Sequence, residues 1–340
     1  MIDLRSDTIT KPDAGMLDAM MSAKVGDDVF GEDETTNELQ EFMADMFGKE
    51  AALFISSGTM GNQLAVKILT EPGDEIIVES QSHIFFYETA APSVISRVQM
   101  KTIDSERGMM SLNDIENAVR PDIYYFPKTS MIALENTHNR HSGTVLSKDY
   151  IKEVGILAEK YNLKLHLDGA RLWNAIAATG IEAKQWAEYF DTVTICFSKG
   201  LGAPVGSMLM STKENIEKAR KWRKILGGGM RQTGILAAAA MYAVKNNFDK
   251  IAADNENARY FAELIAQSEK INVDLSRVET NIVYFDYSDE ANFAKFVNNC
   301  QKKGLLFIPT GKTTARAVFH LHISREDTEK AANILLDSII

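Results

Sequence analysis

Residues 163–171 read LKLHLDGAR and residues 192–200 read TVTICFSKG. Each is a short apolar run that closes on a charged side chain beside a glycine. Runs of this length read as buried strands, not helices. Working outward, Ala51–Ile55, Glu75–Val78, Met131–Glu135 and Gly206–Met210 repeat the pattern and join Leu163–Asp168 and Thr192–Phe197 as candidate strands. Helix-period segments lie between them, with start residues at Ser111 before LNDIENAV, Ser147 before KDYIKEVGILAEKY and Thr212 before KENIEKARKW. Strand, helix and strand in alternation require crossovers, hence a mostly parallel sheet covered on both faces. After about Asn246 the rhythm becomes a long helical region, a strand at Asn281–Asp286, a helix at Ala291–Lys303, a strand at Ala317–Ile323 and a closing helix from Ser324. The reading is α/β: a large domain over residues 1–245 and a smaller α+β domain over 246–340, with the boundary inside a helix.

Composition narrows the functional classes. The 340 residues carry 47 acidic and 37 basic side chains, for a net charge of −10, which argues against a nucleic-acid binder or a membrane-surface protein. With 45% hydrophobic and 25% charged residues, the chain has the balance of an ordinary globular protein. Two cysteines, Cys196 and Cys300, build neither a disulfide framework nor a Cys-rich metal site. The opening MIDLRSDTIT has no secretory pattern, and the most apolar stretch, Ile235–Val244, is too short to span a bilayer. The expectation is a soluble cytoplasmic protein.

In open α/β sheets ligands bind beyond the carboxyl ends of the strands, so the chemistry should lie just after each run. Asp168-Gly169-Ala170-Arg171 follows one strand. Alone it also reads as a helix cap; functionally it is a carboxylate for a ligand cation beside a forked anion donor. Ser198-Lys199-Gly200 follows the next. Lys199 reads either as a surface lysine or as an amine that forms a Schiff base with an aldehyde. A Schiff-base lysine with an acidic partner for a pyridinium nitrogen is what pyridoxal phosphate requires. Ser56-Ser57-Gly58-Thr59, before the helix-like NQLAVKIL, offers amides and hydroxyls for a phosphate, although SSGT is also a good cap. His83, in Ser82-His83-Ile84-Phe85-Phe86, reads as a structural histidine or as an imidazole stacked on the cofactor ring. His138 and His141 fall in a polar loop and His166, His320 and His322 on strands; without metal-ligand spacing they read as structural.

Longer motifs carry a resemblance that runs nearly end to end: IDLRSDTITKP, VGDDVFGED, FGKEAALFISSGTMGNQ, SHIFFYE, ALENTHN, HLDGARLWNA, FSKGLGAPVGS and LGGGMRQTG. On these the chain resembles the low-specificity L-threonine aldolases, of the aspartate-aminotransferase-like fold type I pyridoxal phosphate enzymes. The resemblance implies Lys199 as the Schiff-base lysine, Asp168 on the ring nitrogen and Arg171 near the cofactor phenolate and the substrate carboxylate. It further implies Gly58, Thr59 and Ser198 on the phosphate, Arg231 on the phosphate of a neighbouring subunit, and Ser6 and Arg316 on the amino-acid carboxylate. No metal is implied. The family's members are tetramers of active-site-sharing dimers.

The implied reaction is retro-aldol cleavage of β-hydroxy-α-amino acids, with His83, directly or through one ordered water, as the base on the β-hydroxyl and Tyr125 the weaker candidate. Another reaction of the same fold, such as β-elimination or aminotransfer, and a non-catalytic binding protein are the alternatives. Two positions depart from the family pattern: Tyr125 stands where histidine is frequent, and Phe30 where tyrosine is. The basic run Lys218–Lys224 reads as a solvated helix face or a subunit contact.

Overall fold

The structure, a computed structural model, describes residues 1–340. Seven strands form the main sheet: β1 Ala51–Ile55, β2 Glu75–Glu79, β3 Gln99–Ile103, β4 Thr129–Glu135, β5 Lys164–Gly169, β6 Thr192–Cys196 and β7 Ser207–Ser211. Their spatial order is β1-β7-β6-β5-β4-β2-β3. Neighbours from β6 through β3 pair in parallel, and only β7 runs against its two partners. The edge strand β3 has no counterpart in the sequence reading. Its residues QMKTI alternate with polar side chains, and only Ile103 is buried, so it lacks the continuous apolar signal of its neighbours.

Strand residues divide between the two faces with period two. In β1, Ala52 and Phe54 join the largest core cluster while Leu53 and Ile55 point to the other side. In β4, Ile132 and Leu134 separate from Met131 and Ala133 in the same way. Helices cover both faces, and the three anticipated start residues are true caps: Ser111, Ser147 and Thr212 accept hydrogen bonds from the amides of Asp114, Tyr150 and Asn215. Each such cap contributes about 1 kcal/mol.

A second core of 23 buried residues is built on a four-stranded sheet that includes Ile282–Tyr287 and Thr314–Val318. The helix Ile251–Ile265 spans both cores: Ile251 packs in the first, and Ala258, Phe261, Ala262 and Ile265 in the second. Ile2 and Leu4 also belong to the second core, and Ile2–Asp3 pairs in parallel with Leu305–Leu306. The N-terminal segment thus packs with the later part of the chain.

The strand expected at Ala317–Ile323 is instead Thr314–Val318, in antiparallel register with Ile282–Asp286. Threonines and an arginine hide its beginning, and the apolar Phe319 that suggests continuation leaves the ladder to fill the second core. His320 and His322 therefore lie beyond the strand, in the turn that leads to the helix Arg325–Leu336. His320 Nε2 lies 2.9 Å from the Asp3 carbonyl, and His322 Nε2 accepts the Lys11 amide at 3.0 Å. No helix is long and apolar enough to cross a membrane.

Candidate active site

The parallel strands β1, β2, β4, β5 and β6 all end on one edge of the sheet, and the following loops deliver Gly58, His83, Asn139, Arg171 and Lys199. A cavity of about 290 Å³ opens there, lined by Lys199, His83, Arg171, Ser6 and Arg316 together with Thr8, Tyr87, Asn139, Ile308 and Thr310. Residues far apart in sequence meet because the N-terminal segment and the second core both close over this edge.

Asp168 closes β5 and is 4% exposed. Its oxygens accept from the Asn62 side-chain amide at 2.7 Å and the Ala170 backbone amide at 3.1 Å. Burial acts to raise its proton affinity, but the charges of His83 and Lys199 and the bond from Asn62 outweigh it and hold the carboxyl below its ordinary value. Both direct partners are neutral, so this buried anion has room for a cationic ring nitrogen.

The next strand, β6, leads into Ser198 and Lys199, both half-buried. Gly58 begins the helix Gly58–Leu69, capped by Ser57, whose hydroxyl accepts the Met60 amide. The first amides of a helix have no intrahelical acceptor, so those of Gly58 and Thr59 are free to bind an anion. A Cβ at Gly58 would come within 2.8 Å of Cys196 Sγ, so only glycine lets this helix end approach the close of β6. Amine, carboxylate and anion cradle together fit a phosphorylated pyridine aldehyde.

Arg171 lines the cavity on an anchor that the sequence did not show. Its Nε and Nη2 donate to the two oxygens of Asp7 at 2.7 and 2.8 Å, leaving Nη1 for other partners. Asp7 is fully buried; burial acts to raise its pKa, yet the Arg171 charge and hydrogen bonds prevail and bring it down to about 2. Arg316 donates through Nη1 to Asn139 Oδ1 at 2.8 Å and through Nη2 to the Arg5 carbonyl at 3.2 Å, and its buried Nε has no partner. Ser6 Oγ lies 2.7 Å from Thr8 Oγ1 at the cavity wall.

His83 starts a four-residue helix, His83–Phe86. Its backbone N–H donates to Glu135 Oε2 at 2.6 Å, and its Nδ1 lies 2.9 Å from Glu88 Oε1. Burial would lower its pKa; the Glu88 hydrogen bond and the charges of Asp168, Glu135 and Glu88 reverse that and raise it above the ordinary histidine value. His166 bonds Thr192 and Asn62 inside the sheet, and burial pushes it down to about 4, so it stays neutral. The loop bearing His138 and His141 is polar in sequence yet buried, both rings turned onto Glu79 at 2.9 and 3.3 Å.

Other anticipated residues stay apart within a single chain. Arg231 is on the surface, paired with Asp27 at 2.9 Å. Tyr125 and Phe30 are 62% and 72% exposed and do not line the cavity. Lys218 of the basic run is exposed and Arg220 half-buried, whereas Arg223 is buried and holds Asp28 at 2.5 Å. Sequence reading missed Asp7, Asn62, Glu88, Glu135 and Asn139. All five sit inside the long motifs, but only folding shows which side chains they hold.

Comparison with known proteins gives the class first. Residues 3–289 match the family model described as beta-eliminating lyase. The fold is shared with threonine aldolase of Leishmania major, at a TM-score of 0.85 and 19% identity over 100% of both chains. Serine palmitoyltransferase of Sphingomonas wittichii gives 0.78 at 17% identity over 98% of this chain and 86% of that one. At those identities the likeness is one of fold, the aspartate-aminotransferase-like fold type I. In sequence the chain is 42% identical to the low specificity L-threonine aldolase of Escherichia coli K12 over 98% of its length and 97% of that protein. It is 43% identical to low-specificity L-threonine aldolase 1 of Arabidopsis thaliana over 96% and 93%. The chain belongs to the low-specificity L-threonine aldolase family.

Proposed function

We infer that this protein is a pyridoxal-phosphate-dependent carbon–carbon lyase that cleaves L-threonine and L-allo-threonine to glycine and acetaldehyde. Family membership supports the reaction. The observation that carries the site is the cavity into which Lys199, His83, Arg171, Ser6 and Arg316 open together, with Asp168 closing the strand beside that of Lys199.

Lys199 Nζ would hold the cofactor aldehyde, Asp168 would keep its ring nitrogen protonated, and the amides of Gly58 and Thr59 with Ser198 would hold its phosphate. Bound pyridoxal phosphate supplies a sink for the electron pair left on Cα. Arg316 and Ser6 grip the substrate carboxylate, with Arg171 alongside. Fixing that group selects the Cα–Cβ bond for cleavage. His83 Nε2 removes the β-hydroxyl proton as the bond breaks and acetaldehyde leaves; Cα then regains a proton and glycine departs. General-base help of this kind contributes about 10²–10⁴-fold.

The large domain, residues 1–245, carries the cofactor residues, and the small domain, 246–340, brings Arg316, with the N-terminal segment joining the two. The assembly is a homotetramer of dimers in the cytoplasm, in which Arg231 reaches the partner's phosphate site. Exposed aromatic groups support a covered surface: Phe85, Phe86 and Tyr87 on one segment and Tyr124, Tyr125 and Phe126 on another.

The test is to incubate the purified protein with each amino acid and quantify glycine and acetaldehyde. Equal molar release of both is expected. Ammonia or a keto acid instead would return the reading to β-elimination or aminotransfer.

A further inference from the structure

Glu88 lies at the back of the cavity wall, with a side chain that has no solvent exposure. Three donors converge on its carboxylate. Oε1 receives the Asn62 amide at 2.8 Å and lies 2.9 Å from His83 Nδ1, while Oε2 receives the Gln63 amide at 2.5 Å. The Asn62 and Gln63 groups are N–H donors, so the carboxylate acts as an acceptor throughout. Burial and the Asp168 charge raise the proton affinity of Glu88, against the bonds from His83 and Asn62; with both oxygens already accepting amide N–H groups, the proton between Glu88 and His83 is assigned to Nδ1. A neutral imidazole with Nδ1–H carries its lone pair on Nε2.

Asn62 also binds this group to the rest of the site. Its second N–H goes to Asp168 Oδ2 at 2.7 Å, and its Oδ1 lies 2.9 Å from His166 Nε2. His166 stays neutral and Nδ1 faces Thr192, so Nε2–H is its donor and the Asn62 orientation is fixed. One amide therefore holds Glu88 and Asp168 at a set separation, each free to accept a different cationic or donor group.

We propose that Glu88 is a positioning residue that fixes the Nδ1–H tautomer of His83 and so presents Nε2 to the substrate hydroxyl. The role rests on the reading of His83 as the base. The buried carboxylate also stabilises the imidazolium formed when His83 takes up the β-hydroxyl proton. Glu88 follows just after the short helix that His83 begins, so the chain folds the carboxylate back onto Nδ1 while the ring lines the cavity.

Glu88→Gln keeps the shape and replaces the acceptor by an amide able to donate to Nδ1, which would move the ring proton to Nε2. Nitrogen NMR of the ¹⁵N-histidine-labelled holoenzyme, assigned with His83→Asn and recorded at pH above the acid limb where the ring is neutral, should show Nδ1–H in the parent. In E88Q it should show the opposite tautomer or a lowered titration. The acid limb of kcat/KM should move to lower pH, and kcat/KM should fall about 10²-fold, the low end of general-base help. KM should change little, and Glu88→Asp should restore part of the rate. In the H83N background, E88Q should cost nothing further.

An unchanged tautomer and pH limb in E88Q would overturn the proposal, as would a full-sized loss that persists in H83N. Full activity of H83N would instead defeat the reading of His83 as the base, and with it the catalytic meaning of Glu88, whatever tautomer the NMR shows. If E88Q folds poorly, judged by its melting temperature, the tautomer and pH limb of Glu88→Leu, which likewise removes the acceptor, decide the same question.

Discussion

Asp7 and Arg171 form a two-pronged ion pair, with both side chains out of solvent, that pins the N-terminal segment to the loop after β5. Next to Asp7 stands Ser6, and next to that Arg5, whose carbonyl receives Arg316. A single buried pair thus organises residues from both ends of the chain around one cavity.

Asp7→Asn leaves the guanidinium buried without its counter-charge, and breaking such a pair costs about 3–5 kcal/mol. The measurement is denaturant unfolding of parent and variant side by side. Equal midpoints would show that the pair does not hold the segment. Because Asp7 is depressed from 3.8 to about 2 in the folded state, its stabilisation is present above the unfolded value and disappears as pH falls through the folded one. That contribution is about 2 kcal/mol, lost between about pH 5 and pH 1, and the variant should show a correspondingly shallower acid dependence.

The raised pKa of His83 fixes the sign of the pH–rate profile. A base must be unprotonated, so kcat/KM should decline as pH drops through a value above the roughly 6.5 of a free imidazole. His83→Asn should remove that limb and slow cleavage about 10²–10⁴-fold, read from initial rates of acetaldehyde release. A profile that keeps the limb in the variant would assign it to another group.

Arg316→Leu would remove the proposed carboxylate grip and leave the sheet pairing of Thr314–Val318 with Ile282–Asp286 in place. KM should rise and kcat/KM fall, with kcat less affected if the arginine binds substrate and transition state alike. Unaltered kinetics would take Arg316 out of the substrate site.

The strand ends were legible because ligands in such sheets sit beyond the carboxyl ends of the strands, and Asp168 at the close of β5 and Lys199 just past β6 both fall there. The caps Ser111, Ser147 and Thr212 were legible for a local reason: each binds an amide three residues on. Asp7, Asn62 and Glu88 were not, because their partners lie elsewhere in the chain and an acid or amide in a motif does not announce which side chain it holds. Strand β3 and the shifted strand Thr314–Val318 escaped for the opposite reason: their polar alternation resembles loop until the edge position of β3, and the pairing of Thr314–Val318 between Ile282–Asp286 and Ile308–Pro309, explain it.

Tyr125 lies on one of the exposed aromatic segments that the proposed assembly would cover, and Phe30 is likewise exposed in the single chain. Tyr125→Glu or Phe30→Glu would put a charge into such a contact and should shift sedimentation toward smaller species. Unchanged sedimentation of both variants would place the contacts on another surface.

The central claim is that the ε-amine of Lys199 carries the pyridoxal phosphate. Borohydride reduction of the holoenzyme followed by peptide mass mapping should find the reduced cofactor on the peptide containing Ser198-Lys199-Gly200, and Lys199→Ala should lose both the label and turnover. A label on another lysine, or near-normal turnover in that variant, would contradict it.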